Sequence, residues 1–235
     1  PNDRIDFAAG RARDSTDTLD ITTVTGLTKR LDVAWAAGAA AGGLFSGTKT
    51  LDTGYHCFAI RKDADGTMDF GFDTSVTAAN KPVGYTYYVW LGAILTDASS
   101  NIRGFKQYGR RFQFNALVDN GTITIDNSAS TLVTISAPPG KICDVKVRWG
   151  GIGSVGGGYW GAIIVLQSPD MTSQVVTAGW TFPVTTSGSG SIHNNSAAAV
   201  SQRENVITNS SSQISARSYA SESFGFATEG WTVLE

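Results

Sequence analysis

Apolar and polar residues alternate with a period of two along most of this chain. Ile5 and Phe7 share a face in RIDF, Leu19 and Ile21 in TLDITT, and Phe112, Phe114, Ala116 and Val118 in RRFQFNALVD. That period marks strands with one buried face. Stretches of the same character follow at 131–137, 142–149, 160–167, 174–182, 199–207, 213–219 and 223–228. Turn-forming residues separate most of them: Pro138-Pro139-Gly140, a glycine run over 150–158, Pro169-Asp170, and SGSGS over 187–191. One stretch leans towards helix, LTKRLDVAWAAGAAAGG over 27–43. Gly38, Gly42 and Gly43 interrupt it, so the expectation is a strand up to Trp35 and then a loop. The expected fold is all-β: an antiparallel β-sandwich, jelly-roll-like, in one domain over 1–235.

Two hairpins are expected from register. Asn120-Gly121 as a two-residue turn pairs Val118 with Ile123 and Ala116 with Ile125, apolar against apolar. In HCFAIRKDADGTMDFGFDTS, residues 56–75, a three-residue loop Ala64-Asp65-Gly66 pairs Ile60 with Phe70 and Phe58 with Phe72. It leaves Arg61 opposite Asp69 as a cross-strand ion pair. The same stretch holds Asp63, Asp65 and Asp69 around a glycine, the outline of a calcium loop. The EF-hand pattern needs a further acid two residues after the second and a terminal Glu; position 67 is Thr and no Glu follows within reach. A hairpin tip without a metal is the expectation.

Charge removes some functions from consideration. Asp, Glu, Lys and Arg make up 16% of the 235 residues, the net charge is −2, and 27 residues are glycine. No run of Lys and Arg offers a footprint for nucleic acid. No apolar stretch reaches the roughly 18 residues of a membrane span. Cys57 and Cys143 are too few for a disulfide framework or a zinc site, and Cys143, in register with Val145, Val147 and Trp149, reads as a small buried hydrophobe. Beginning at Pro1 without Met, the chain reads as a fragment of a longer one.

Chemistry-bearing motifs are sparse. Gly151-Ile152-Gly153-Ser154-Val155-Gly156 satisfies the dinucleotide pattern, but a strand-like GGYWGAIIVLQ follows where that pattern needs a helix. Ser154 lacks the preceding glycine of a nucleophile elbow. Of the two histidines, His56 alternates with the apolar set of its strand and reads as structural, while His193 lies in SGSGSIHNNS with hydroxyls and amides around it. Aromatic rings beside polar loops suit the C–H faces of sugars. Tyr159, Trp160 and His193, in the segments 150–160 and 187–196, are therefore the candidate receptor- or glycan-binding residues. In GYTYYVWLGAIL, Tyr85, Tyr87, Val89 and Leu91 face one way and Thr86, Tyr88 and Trp90 the other. Both faces are apolar enough to need cover, by a second sheet or another subunit. No cofactor is expected.

Several stretches together resemble a known family: KRLDVAWAAGAAAGGLFSG (29–47), TGYHCFAIRKDADGTMDFGFDTS (53–75), KPVGYTYYVWLGAILTDASSNIRGFKQYGRRF (81–112), ISAPPG (135–140), NVITNSSSQISARS (205–218) and the terminal EGW (229–231). They are similar in order and spacing to the C-terminal portions of tail-fibre-like proteins of bacteriophages and prophages. Val89 and Trp90 stand where that pattern commonly has Arg before Leu-Gly. The shared motifs are structural and carry no catalytic residues. The resemblance implies an extracellular virion component, homotrimeric, joined to other tail proteins and binding a glycan or protein on the host cell. The function expected is non-enzymatic adhesion; the alternatives are a secreted bacterial carbohydrate-binding module and a polysaccharide depolymerase.

Overall fold

The structure, a computed structural model, describes residues 2–126, 128–151, 163–172, 189–191, 200–218 and 221–234. It is all-β, and among the described residues there is no helix. The chain divides into two compact units, Pro1–Arg103 and Gly104–Glu235.

The first unit holds β1 (Arg4–Phe7), β2 (Gly10–Arg13), β3 (Asp20–Thr23), β4 (Leu27–Ala34), β5 (Gly42–Leu44), β6 (Gly54–Arg61), β7 (Met68–Asp73) and β8 (Tyr87–Leu95). Six of these form one sheet in the order β1-β4-β5-β7-β6-β8, and β2 and β3 form a separate hairpin. The pairings are antiparallel except those of β5, which runs parallel to both β4 and β7. The expected strand-then-loop over 27–43 is present: β4 ends at Ala34 and the alanine-rich segment turns through Gly38 (φ +100°) and Ala40 (φ +58°).

In this sheet both faces of strands β6 and β7 are buried. On one, Phe7 stacks on Phe70 with ring centroids 4.6 Å apart. On the other, Phe58, Ile60, Ala78 and Tyr85 pack with Trp35, Phe45, Tyr88 and Trp90. Strand 87–95 therefore finds cover for its Tyr88 and Trp90 face inside its own unit, from the loop that carries Ala78 and Tyr85.

The β6–β7 hairpin exists, but its register differs by one from the expected pairing. Ile60 faces Asp69, Ala59 faces Phe70, Phe58 faces Gly71 and Cys57 faces Phe72. The turn is Asp63-Ala64-Asp65-Gly66, closed by Lys62 N–H donating to the Thr67 carbonyl at 2.8 Å, with Gly66 at φ +74°. Alternation selects a register only when one face is polar, and here neither is. Size decides instead. Phe58, Phe70 and Phe72 each face a small residue, whereas the expected pairing sets Phe58 against Phe72. Gly71 makes the room: a Cβ there would lie 2.1 Å from the Phe45 ring.

The second unit holds β9 (Phe105–Tyr108), β10 (Arg111–Ile125), β11 (Thr131–Thr134), β12 (Cys143–Gly151), β13 (Ile163–Gln167), β14 (Ser189–Ser191), β15 (Val200–Ile207), β16 (Gln213–Ser218) and β17 (Glu222–Val233). They make a five-stranded sheet, β15-β12-β17-β10-β9, and a four-stranded sheet, β11-β16-β13-β14. Inward residues of both sheets fill the core of this sandwich. Phe112 and Trp231 stack at 5.3 Å, Phe114 meets Trp231 edge-on at 5.0 Å, and Trp149 meets Phe224 at 6.1 Å. Part of SGSGS, expected as a turn, is β14, paired with β13. The candidate strand 174–182 lies outside the described residues.

The Asn120-Gly121 hairpin is absent. β10 runs straight through these residues along β17, with Asp119 opposite Ala227 and Thr122 opposite Gly225. Two residues of β10 thus face one of β17, a β-bulge, with Gly121 at φ +83° as such a position prefers. The sequence pattern fits both outcomes. A bulge shifts the alternation by one, so even-numbered Phe112, Phe114 and Val118 share the buried face with odd-numbered Ile125. Asn120 decides between them: its amide donates to Ser136 Oγ at 2.7 Å and its carbonyl oxygen accepts from Thr228 Oγ1 at 2.6 Å.

Candidate functional site

The three aspartates around Gly66 each have a protein partner. Asp63 accepts from the Thr86 N–H at 2.9 Å and the Thr86 hydroxyl at 2.8 Å, tying the hairpin tip to the next loop. Asp65 accepts from the Thr67 N–H at 2.9 Å and from Lys62 at 3.2 Å. Those bonds, the Thr67 N–H first, hold its carboxyl down at about 2. Asp69 does not pair with Arg61 as expected; Arg61 faces Met68. Its partner is Lys29, 2.7 Å away, with both side chains almost wholly buried. Lys29 also donates to the Ala36 carbonyl at 2.7 Å, and Gly38 N–H donates to Asp69 at 2.9 Å, so the pair anchors the alanine-rich loop.

Other loop carboxylates act in the same local way. Asp14 receives the N–H groups of Thr16, Thr18 and Leu19. Burial pushes its carboxyl up, and these bonds outweigh that and hold it well below the usual range. Asp73 receives Ser75 and Asn80. Among the described residues no three His, Cys, Asp or Glu side chains gather as a metal cluster.

Of the other candidates, His56 is buried on the aromatic face of β6, and its Nδ1 accepts from Trp90 Nε1 at 3.1 Å. Cys57 and Cys143 are both buried free thiols. Burial pushes the Cys143 thiol up to about 12 and Cys57 higher still, which removes thiolate chemistry near neutral pH. Tyr159, Trp160 and His193 lie outside the described residues, and so does Ser154.

A polar groove of about 190 Å³ lies on the outward face of the five-stranded sheet. Its geometry follows from register. Gln113, Gly230, Lys146 and Asn205 stand side by side on β10, β17, β12 and β15, and Arg111, Thr232 and Asp144 form the neighbouring row. The side chains between the rows, Phe112, Trp231, Val145 and Val206, point into the core. Only Gly230 has nothing to present, so a gap opens between Gln113 and Lys146. No larger residue fits there, because a Cβ would lie 2.2 Å from the Phe112 carbonyl oxygen. The groove floor is thus fixed by backbone approach.

Charge around the groove is partly matched. Glu229 is the extra residue of a bulge in β17, since Gly230 faces Lys146 and Thr228 faces Val147. Arg148 Nε donates to it at 2.6 Å and Arg203 Nε at 2.9 Å. Burial pushes its carboxyl up; the two guanidinium groups push it down by more. Asn205 donates to Asp144 at 3.1 Å. Arg111 and Lys146 form no ion pair among the described residues. The arrangement offers donors, acceptors and two uncommitted cations on a rigid sheet, which suits a hydroxyl-rich ligand.

Sequence reasoning placed binding in the glycine-rich loops and passed over this face, although two of its members, Asp144 and Lys146, are in the polar half of the alternation in KICDVKVRW. The available signal was Gly230 of the terminal EGW, a glycine within a strand pattern. No protein-family model, curated protein or solved structure matches the chain.

Proposed function

We propose that this chain is a non-enzymatic adhesion domain, the receptor-binding part of a bacteriophage tail fibre, which attaches to a glycan on the host cell surface. The observation that supports it most is the groove over Gly230. It presents a row of amide, hydroxyl and charged groups on a sheet whose backbone fixes their spacing, a binding surface rather than a nucleophile with its base. The resemblance to tail-fibre-like proteins adds the virion setting and the homotrimer. Three weak sites in one trimer gain avidity without a new kind of contact.

The test is adsorption of the purified protein to Gram-negative cells, before and after removal of surface polysaccharide. Adsorption lost with the polysaccharide supports the reading; a panel of hosts with no adsorption removes it. Light scattering on a longer chain checks the trimer. Release of reducing ends from host polysaccharide would replace adhesion by depolymerisation.

A further inference from the structure

We infer that the groove over Gly230 takes a sugar bearing an anionic group, a carboxylate or a phosphate, and that Arg111 and Lys146 hold that anion. The inference deepens the adhesion reading and rests on it. Two cations, Arg111 and Lys146, and two carboxylates, Asp144 and Glu229, line the groove, and the Glu229 charge is matched by Arg148 and Arg203 beside it. Arg148 and Arg203 are committed to Glu229. Arg111 and Lys146 are not committed to any described carboxylate. They stand on β10 and β12, on either side of β17, so about 10 Å of sheet separates their strands. That span lies over the side-chain gap at Gly230, where a ring can sit with its charged substituent turned to one cation.

The neutral groups define the rest of the ligand. Gln113, Asn205 and Thr232 can donate and accept, and Asp144 only accepts. An acceptor-only carboxylate suits sugar hydroxyls and repels a run of phosphates, so the groove favours an acidic sugar over a nucleic acid.

The experiment is calorimetric titration with four probes: oligogalacturonate, the neutral galacto-oligosaccharide, a hexose phosphate and inorganic phosphate. At least one acidic sugar should bind about tenfold or more tightly than the neutral one, because a hydrogen bond to a charged group is worth about a decade of affinity. The preference should shrink with salt. Preference for the uronate or for the hexose phosphate identifies which anion the site takes. Arg111→Gln and Lys146→Gln should each weaken that binding about tenfold at an unchanged unfolding midpoint. Lys49→Gln, a cation change in the first unit, should leave it unaltered. Equal affinity for neutral and acidic sugars, no binding of either acidic sugar, binding of inorganic phosphate as tight as of the sugar, or unaffected Arg111 and Lys146 variants overturns the inference. If the wild-type protein adsorbs to cells while any of these holds, adhesion survives and this assignment of the groove fails. If the wild-type protein adsorbs to no cell, the adhesion reading itself fails.

Discussion

The two units use a paired carboxylate in opposite ways. In the first, Asp69 meets Lys29 in the interior, with the two side chains 0% and 3% exposed. In the second, the buried Glu229 carboxylate, 8% exposed, is held by Arg148 and Arg203, whose side chains are 46% and 51% exposed. A buried pair gives up its water on both sides, so removing one partner leaves an uncompensated charge. Arg148 and Arg203 keep much of their water, and either one left alone still neutralises Glu229, so breaking one of these contacts costs less. The first pair therefore holds a fold together, and the second positions charge on a face that stays open to ligands.

The largest expected effect tests that contrast directly. Lys29→Met leaves Asp69 buried and unpaired, and should lower stability by about 3–5 kcal/mol in urea unfolding. The double change Lys29→Met with Asp69→Leu should recover much of the loss. If Lys29→Met costs no more than Glu229→Gln, the contrast between the units collapses.

A smaller loss is expected at the β10 bulge. Asn120→Ala removes the partner of Ser136 and Thr228 and should cost about 1–3 kcal/mol. A neutral result there would mean that Gly121 alone sets the bulge.

The acid response should sharpen the comparison from the other side. Glu229 has a folded pKa below its ordinary value near 4.3, so its contribution is complete above that pH and is lost as pH falls through the lowered value. Urea midpoints of wild type and Glu229→Gln should differ at about pH 7, and the difference should shrink as pH falls through the lowered value. A gap that persists in acid would show that Glu229 acts through its shape and not its charge.

The smallest expected effect is none. Asp63 and Asp65 are engaged by Thr86, Thr67 and Lys62, so thermal unfolding with and without EDTA should coincide. Stabilisation by added calcium would place a cation at the hairpin tip.

Much of the fold was legible in the chain. The alternation located β12, β15 and β16 closely, and the glycines of 27–43 marked where a strand gives way to a loop. The candidate site was less legible. Lys146 and Asp144 look like any solvent-facing positions of a strand, and Arg111 and Asn205 lie far from them in sequence. Only the pairing of β10, β17, β12 and β15 brings them into two rows.

The residue order alone determined that this is a β protein, that the Asp-rich stretch turns back on itself, and that Cys143 and His56 are structural. Those outcomes depend on local periodicity and turn chemistry, which neighbouring residues carry. Tertiary structure decided the register of β6 on β7, the bulge in place of a hairpin at Asn120-Gly121, and Lys29 rather than Arg61 as the partner of Asp69. In each case two local arrangements satisfy the same pattern of apolar positions. The choice falls to contacts from distant segments: the Phe45 ring over Gly71, Ser136 and Thr228 on Asn120, and a lysine forty residues upstream of its aspartate.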